Sequence, residues 1–402
     1  MDPVSEQYET FPYPERNPKD ETRRLVTGSP SAPREIDHFL FGGARDWRQP
    51  FRVLAAGGGT GDGTIQIAQL LADAGCPAEI TWLDPSRAAR DIAEQRAALR
   101  GLDIRFVTGP LEEAPALGQF DYIDCCGVLH HLDRPQEGFD ALARALAPEG
   151  GMGLMVYAPY GRTGVYALQS AFGRLLGGDA PSAKPALARR VLEALPEANW
   201  FRHNRFVSDH RVSDAGLYDL LLHARDVPFS VSDLGAALET AGLGLVSMLE
   251  PARYDPLRYL PDDPALASRV AALAPLERMA LAEELAGDIR LHVAYVTHAA
   301  RAGSVLAKVT PAAVPRLVGL PARALAETVA RRGAITIDYA GVKHVVRLPG
   351  AAARLIALVD GRPLSEIARA AGLDWFAFAQ AWAPVHAGLT GFNKLNYSRT
   401  FG

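Results

Sequence analysis

The sequence predicts an α/β protein in which a largely parallel sheet carries helices on both faces. The apolar segment Phe51–Ala55 ends abruptly in glycine, and Ile65, Ala68 and Leu71 then recur at helical spacing. Further apolar segments alternate with helical ones, which is typical of βαβ units. The predicted strands are Phe51–Ala55, Glu79–Leu83, Ile104–Val107, Asp121–Gly127, Met152–Tyr157, Leu243–Leu249 and Leu291–Thr297.

The turn after the first strand is unusually rich in glycine and predicts a nucleotide ligand. Glycine lets the backbone approach a ligand closely, and the following helix directs free N–H groups towards it. The dinucleotide pattern G-x-G-x-x-G does not fit, because its sixth position falls on Asp62 or Thr64, and no Gly-Lys-Ser/Thr follows as in a phosphate loop. What remains is G-x-G-x-G at Gly57, Gly59 and Gly61.

An acidic residue, Asp84, follows the second predicted strand. Ligands of open α/β sheets lie beyond the carboxyl ends of the strands, and a carboxylate there can accept from both hydroxyls of a ribose. The alternative is that Asp84 caps the helix that begins near Ser86.

Two later stretches complete a pattern. They are FDYIDCCGVLHHLDRP from Phe120 and LAPEGGMGL from Leu146. With the glycine turn and Asp84, they resemble the motifs of the class I S-adenosylmethionine-dependent methyltransferases over about 250 residues. The resemblance implies a seven-stranded Rossmann-like sheet whose last strand is antiparallel, S-adenosylmethionine as cofactor, and methyl transfer to an oxygen or nitrogen atom. The cofactor residues it implies are Gly57, Gly58, Gly59, Gly61, Asp62, Asp84, Pro85, Leu111, Cys125 and Gly127.

The chain departs from the family pattern at two positions. Ala55 stands where an acid normally precedes the glycines and helps to hold the methionine end, and Asp62 is our candidate replacement. Pro110 stands where an acid commonly holds adenine, which leaves the backbone near Leu111 or the side chain of Glu112 for that contact.

The acceptor site is less defined by sequence. We predict His131, Tyr157 and Tyr160 as catalytic residues and Tyr8, Tyr13, His130, Arg162 and Tyr166 as substrate-binding residues. The alternatives are that the histidines only pack behind the strand, that Arg162 forms an ion pair, and that the N-terminal segment straps the outside of the sheet. We expect no metal, because adjacent histidines should point apart and no third ligand is near in sequence. A small-molecule acceptor is preferred, with peptide and RNA left open.

The predicted domains are an N-terminal segment over the cofactor cleft (1–50), a methyltransferase domain (51–300) with a helical cap at about 167–230, a linker (301–320) and a small winged-helix-like domain (321–402). From Arg301 onward there are 13 Lys and Arg against 5 Asp and Glu, within a chain of net charge −4. This basic domain is expected to meet the acidic body, a second subunit or a protein partner. A protein truncated near Ala300 is expected to stay folded.

A different class of function stays open at this point: a regulator that senses S-adenosylmethionine and binds nucleic acid or protein through the basic domain. The segment DWFAFAQAWAPVH, the second helix of a possible helix-turn-helix, has no Lys or Arg, which disfavours DNA reading. The three cysteines form no C-x-x-C pair, and no signal peptide or membrane-length apolar run is apparent, so we expect a cytoplasmic protein without membrane contact.

Overall fold

A computed structural model of the protein describes residues 3–339 and 341–402 and is centred on one seven-stranded sheet. Its strands are β1 (Phe51–Ala56), β2 (Ala78–Asp84), β3 (Arg105–Thr108), β4 (Phe120–Cys126), β5 (Leu146–Tyr157), β6 (Leu243–Met248) and β7 (Leu291–His298). They lie in the order β3-β2-β1-β4-β5-β7-β6, and β7 is antiparallel to both neighbours. The predicted α/β class and seven-stranded sheet are confirmed.

Helices cover both faces of this sheet. In the first three hundred residues they are α1 (Pro3–Thr10), α2 (Pro33–Leu40), α3 (Asp62–Asp73), α4 (Arg87–Arg100), α5 (Pro135–Ala145), α6 (Val165–Leu176), α7 (Lys184–Ala194), α8 (Trp200–His203), α9 (Asp214–Leu217), α10 (Val231–Thr240), α11 (Pro264–Ala272) and α12 (Pro275–Ala286). Successive β1 residues point to opposite faces, so Val53 packs with α2, α3 and α4, and Leu54 with α5 and α10. Both are fully buried, which explains why β1 is apolar almost throughout.

The fifth strand begins six residues earlier than the sequence predicts, and its glycines lie inside the strand. A Cβ on Gly150 would lie 2.8 Å from the carbonyl oxygen of Phe120, and one on Gly151 would lie 2.6 Å from the side chain of Leu40. The two glycines are therefore needed where β5 passes β4 and α2 closely.

The cap lies between β5 and α10 and consists of α6 to α9 with their connections. Directly after α9, residues Tyr218–Leu222 form one π-helical turn. Such turns re-aim side chains and are frequent at functional sites. Here the turn carries the buried carboxylate Asp219.

The N-terminal segment runs over the carboxyl end of the sheet. The backbone carbonyl of Pro14 accepts from the Thr60 hydroxyl at 2.8 Å, and the Glu9 carboxylate accepts from the backbone N–H of Arg87 at 2.6 Å. Both partners lie in or beside the predicted cofactor loops, so this segment contacts both loops.

The C-terminal part has a core of its own that includes Phe378 and Trp382. Its elements are β8 (Pro315–Leu317), α13 (Ala322–Arg332), β9 (Ala334–Tyr339), β10 (Val342–Arg347), α14 (Ala352–Ile356), α15 (Leu364–Ala370), α16 (Trp375–Thr390) and β11 (Leu395–Tyr397). Strands β9 and β10 form the predicted hairpin, although its turn residue Ala340 lies outside the described residues. Strand β8 pairs with β11, so part of the predicted linker is structured.

The end of this C-terminal part docks on α2 through buried polar groups. Asn393 donates to Glu35 at 2.6 Å, and Ser398 donates to Asp37 at 2.6 Å. In addition, Phe401 packs edge-on against Trp47 with ring centroids 4.7 Å apart. These contacts contradict the expectation that residues 301–402 can be removed without loss, because two buried carboxylates would lose partners.

Of the helices in the described ranges, none is long and apolar enough to cross a membrane.

Candidate active site

The glycine loop lies at the carboxyl end of β1, where the strand order reverses between β2 and β4. Gly57 and Gly59 have φ angles of +73° and +49°, which L-residues with a side chain rarely adopt. The Gly59 N–H donates to a carboxylate oxygen of Asp84 at 2.9 Å, and a Cβ on Gly59 would lie 3.3 Å from the carbonyl oxygen of Tyr13. A side chain at this position would therefore disturb both the loop and the N-terminal segment.

Asp84 does not cap the next helix, which was the alternative to the ribose role predicted for it. Ser86 caps α4 by accepting from the Ala89 N–H, while Asp84 accepts one backbone N–H on each oxygen, from Gly59 and from Ser86. Each carboxylate oxygen keeps a second lone pair for a ligand hydroxyl. Burial raises the pKa of Asp84 to about 6, against the opposing effect of these two hydrogen bonds.

The other predicted loop residues differ in what they do. Gly58 has no room for a side chain because a Cβ there would lie 2.1 Å from the Trp82 ring, so it is required for packing. Gly61 precedes α3 with a positive φ, Pro85 is exposed in the turn after β2, and Gly127 directly follows β4.

Asp62, our candidate for the missing acid, is engaged elsewhere. It forms a bidentate ion pair with Arg16, and Arg96 donates to it at 2.8 Å. Burial alone would raise the pKa of Asp62, but these two guanidinium groups outweigh burial and lower it. The carboxylate therefore fastens the N-terminal segment to the start of α3. The prediction that Asp62 holds the methionine end of the cofactor is not supported.

Cys125 and Leu111 place their side chains in the core. The Cys125 thiol is fully buried on the face of the sheet covered by α5, together with Leu111. Because side chains alternate along a strand, the neighbours Asp124 and Cys126 point to the opposite face. The Cys125 side chain therefore faces α5 and not the side of the sheet that carries α3.

A cluster of buried polar side chains lies beyond the ends of β4 and β5. The Tyr157 hydroxyl donates to Asp219 at 3.0 Å, and the Tyr8 hydroxyl lies 3.5 Å from the other oxygen of Asp219 and 3.2 Å from Nε2 of His223. His131 stacks on His223 with ring centroids 3.7 Å apart. The N-terminal segment, the ends of β4 and β5, and the cap are distant in sequence and meet here. We call this group the polar cluster: Tyr8, His131, Tyr157, Asp219 and His223.

Backbone contacts define the proton positions on the two stacked rings. Nδ1 of His131 lies 2.8 Å from the Arg225 carbonyl, which can only accept, so Nε2 is left as an acceptor when the ring is neutral. Nδ1 of His223 accepts from the Arg225 N–H at 3.0 Å, so the neutral ring carries its proton on Nε2. Burial raises the pKa of Asp219, with His131 and Arg162 acting in the opposite direction.

Arg162 and Tyr166 form a second layer behind the polar cluster. Arg162 pairs with Asp226 at 3.0 Å, donates to the Tyr166 hydroxyl at 3.1 Å, and lies 3.7 Å from the centre of the Tyr157 ring. The guanidinium is buried and already neutralised, so the ion-pair alternative describes Arg162 better than a role in binding an anionic substrate.

The remaining predicted residues are divided between the cleft and the surface. His130 is fully buried with its ring 4.2 Å from that of Tyr157, and Tyr13 is half-buried in the N-terminal segment. Tyr160 lies outside the cleft: its side chain is 39% exposed, and the charges that raise its pKa after burial are Glu284 and Glu283 on α12. Its predicted catalytic role is not supported.

The adjacent histidines do not point apart, contrary to the expectation on which the absence of a metal was based. The rings of His130 and His131 lie side by side with centroids 4.0 Å apart, and acids from the cap supply possible third ligands in two groups of three: His130, His131 and Asp226, and His131, Asp219 and His223. In the first group the Arg162 guanidinium pairs with one oxygen of Asp226, and in the second Nε2 of His223 carries the proton when that ring is neutral.

The cap residues Asp219 and Asp226 were the main omission of the sequence prediction. Their one visible signal is a set of ionisable residues interrupting the apolar run YDLLLHARD. A surface groove of about 1120 Å³ in the cap is lined by His223, Asp226, Tyr166 and Gln169 among others, so it adjoins the polar cluster.

Comparison with known proteins agrees with this geometry. Residues 54–152 match the model of a family described as a methyltransferase domain. A Synechococcus protein described as uncharacterised is 31% identical over 301 residues, covering 71% of this chain and 69% of that protein. The structure of PKMT2 from Rickettsia typhi has a TM-score of 0.64 at 12% identity and covers 94% of this chain and 77% of its own. The same protein in complex with AdoHcy gives a TM-score of 0.62 at 13% identity, with 94% and 76% covered.

The chain belongs to the class I S-adenosylmethionine-dependent methyltransferase family, and its cofactor is S-adenosylmethionine. The residues present fit that cofactor: the glycine loop follows β1 at the carboxyl end of the sheet, Asp84 has free lone pairs for the ribose, and the buried Asp124 has an oxygen without a protein partner among the described residues. At 94% coverage, the similarity in fold to PKMT2 extends over the cap and the C-terminal part.

Proposed function

We propose that the protein methylates a small molecule on a nitrogen or oxygen atom, with an amine as the favoured acceptor, and that this acceptor binds between the N-terminal segment and the cap. The polar cluster supports this proposal. Its members His131 and Tyr157 lie beyond β4 and at the end of β5, at the carboxyl edge of the sheet where the transferable methyl group of a bound cofactor would be directed.

The cofactor supplies a methyl group on a positively charged sulfur, which is already a good leaving group. The residues of the chain therefore contribute mainly by holding the acceptor in line and by excluding water. The acceptor must also lose a proton, and His131 has an acceptor nitrogen for it because its other nitrogen is bound to the Arg225 carbonyl. We assign Tyr157 and Asp219 to positioning the acceptor next to His131.

Charge favours an amine over an anionic acceptor. Asp226 already neutralises Arg162, so an ionised Asp219 leaves the pocket with a negative charge. Tyrosine rings around this carboxylate add faces that attract cations. A protonated amine would be drawn to this pocket, and a carboxylate or phosphate would be repelled.

The enclosure of the polar cluster favours a small acceptor over a peptide or RNA. Asp219, His131 and His223 are all buried beneath the cap and the N-terminal segment. The adjoining groove, at about 1120 Å³, is slightly larger than the roughly 300–1,000 Å³ of common small-molecule pockets.

The test uses tritiated S-adenosylmethionine and a host extract separated by molecular size. We expect label in the small-molecule fraction, and label confined to protein or RNA would contradict the proposed acceptor class. Tyr157→Phe and Asp219→Asn should slow methyl transfer at least tenfold while S-adenosylhomocysteine binds as before, and Tyr160→Phe is the matched control with an exposed ring. Equal activity of all three variants would show that the polar cluster has no role in methyl transfer.

A further inference from the structure

Position 124 offers a carboxylate where the acid of the glycine motif is absent. In the β1–β4 pair, Ala55 lies directly opposite Asp124. Both residues alternate with core residues of the α5 face, namely Leu54, Ile123 and Cys125, so both point to the face that carries α3. The Asp124 side chain therefore begins one strand spacing, about 4.8 Å, from where an acid at position 55 would begin.

Asp124 is held in place and only half satisfied. Its Oδ2 accepts from the Ser31 hydroxyl at 2.5 Å, and both side chains are at least 95% buried. Its Oδ1 is buried and has no hydrogen-bond partner within the described part of the chain. A buried carboxylate oxygen without a partner is costly, so this atom indicates a donor that arrives with a ligand.

The packing around the Ser31–Asp124 pair is tight on the side of α3. A Cβ on Gly63, in the first turn of α3, would lie 2.6 Å from both Oδ2 of Asp124 and the Ser31 hydroxyl, so glycine is required beside this carboxylate. Cys126, two residues further along the same face of β4, is exposed, which shows that the strand end borders open space.

We propose that Asp124, oriented by Ser31, binds the α-ammonium group of S-adenosylmethionine and so replaces the acid that Ala55 lacks. The proposal rests on the cofactor assignment made above. Asp84 on β2 and Asp124 on β4 flank β1 on opposite sides, so one serves the ribose and the other the amino-acid end. The ionised carboxylate is paired with a cation only when the cofactor is bound.

The test separates the two ends of the cofactor. Calorimetric titrations compare S-adenosylhomocysteine, which has the ammonium group, with 5′-methylthioadenosine, which has the same nucleoside and no amino-acid end. Asp124→Asn should weaken S-adenosylhomocysteine roughly ten- to a hundredfold, as expected for a lost charge-assisted hydrogen bond, and leave 5′-methylthioadenosine within twofold. Asp84→Asn should weaken both ligands.

A matched control is Asp37→Asn. Asp37 is also a buried carboxylate that accepts from a serine, Ser398, and burial raises its pKa to about 6, as it does for Asp124. It lies on α2 at the interface with the C-terminal part, so both affinities should be unchanged in this variant. A parent protein that binds neither ligand would refute the cofactor assignment itself.

Two results would overturn the role of Asp124. One is S-adenosylhomocysteine affinity within twofold of the parent, and the other is an equal loss for both ligands. Misfolding is checked by thermal unfolding of Asp124→Asn, whose midpoint should not fall because the substitution removes a buried charge and keeps an acceptor for Ser31. Ser31→Ala provides a second, milder variant that should show the same selectivity for S-adenosylhomocysteine.

Discussion

Binding of the nucleoside end should depend on pH through Asp84. The ionised carboxylate is the form that accepts from both ribose hydroxyls, and burial raises its pKa in the free protein to about 6. Above pH 6 the binding form is therefore already present, and below pH 6 protonation removes it. Each pH unit below 6 should weaken 5′-methylthioadenosine by up to about tenfold, or about 1.4 kcal/mol.

The structure also refines what Asp84→Asn does. Asparagine has one acceptor oxygen, whereas Asp84 accepts from the N–H groups of both Gly59 and Ser86, so the amide NH₂ must face one of these donors. Loss of the ribose bonds should weaken binding by roughly 1–3 kcal/mol, or about ten- to a hundredfold in affinity, whereas the lost backbone bond affects the free and the bound protein alike.

Calorimetric titrations with 5′-methylthioadenosine between pH 5 and 8 measure both effects. The affinity of the parent should fall towards pH 5, whereas that of Asp84→Asn should be weak and flat over the same range. A parent profile without pH dependence, or parallel slopes for the two proteins, would show that the ribose is held by another group.

Three further predictions concern the loop, the C-terminal part and the buried ion pair. Gly59→Val should abolish cofactor binding in a calorimetric titration, because φ is +49° and the new side chain would meet Tyr13; unchanged affinity would refute the assigned loop. Truncation after Ala300 should lower the midpoint of thermal unfolding strongly or prevent folding, because Glu35 and Asp37 lose partners. An unchanged midpoint would show that residues 1–300 fold independently of the C-terminal part. Arg162→Ala should destabilise the protein by about 3–5 kcal/mol in urea unfolding, since it leaves Asp226 buried without its cation, and a loss below 1 kcal/mol would contradict that pairing.

The sheet and the cofactor loop were accessible from sequence because their signals are local. Strand periodicity, glycine spacing and the position of Asp84 at a strand end all lie within short windows. The sequence did not show which residues of β4 face the ligand side of the sheet. Adjacent positions such as Asp124 and Cys125 face opposite sides of a strand, and an apolar run buried on both faces does not show which side faces the ligand.

The acceptor site could not be predicted because it is assembled from distant parts of the chain. Tyr8 and His223 are 215 residues apart in sequence, yet their side chains lie 3.2 Å apart. Similarly, the polar positions of α2 suggest a solvent-facing side, but the structure buries Glu35 and Asp37 beneath residues from the C-terminal part. Only tertiary contacts decide which polar residues are buried.

The docking of α2 has a consequence for the order in which the protein can fold during synthesis. Glu35 and its partner Asn393 are separated by 358 residues. At about 5–20 residues per second, a ribosome needs roughly 20–70 s to reach Asn393 after it has made Glu35. During that interval Glu35 lacks the Asn393 amide and Asp37 lacks the Ser398 hydroxyl, so the helix reaches its final environment only near the end of translation.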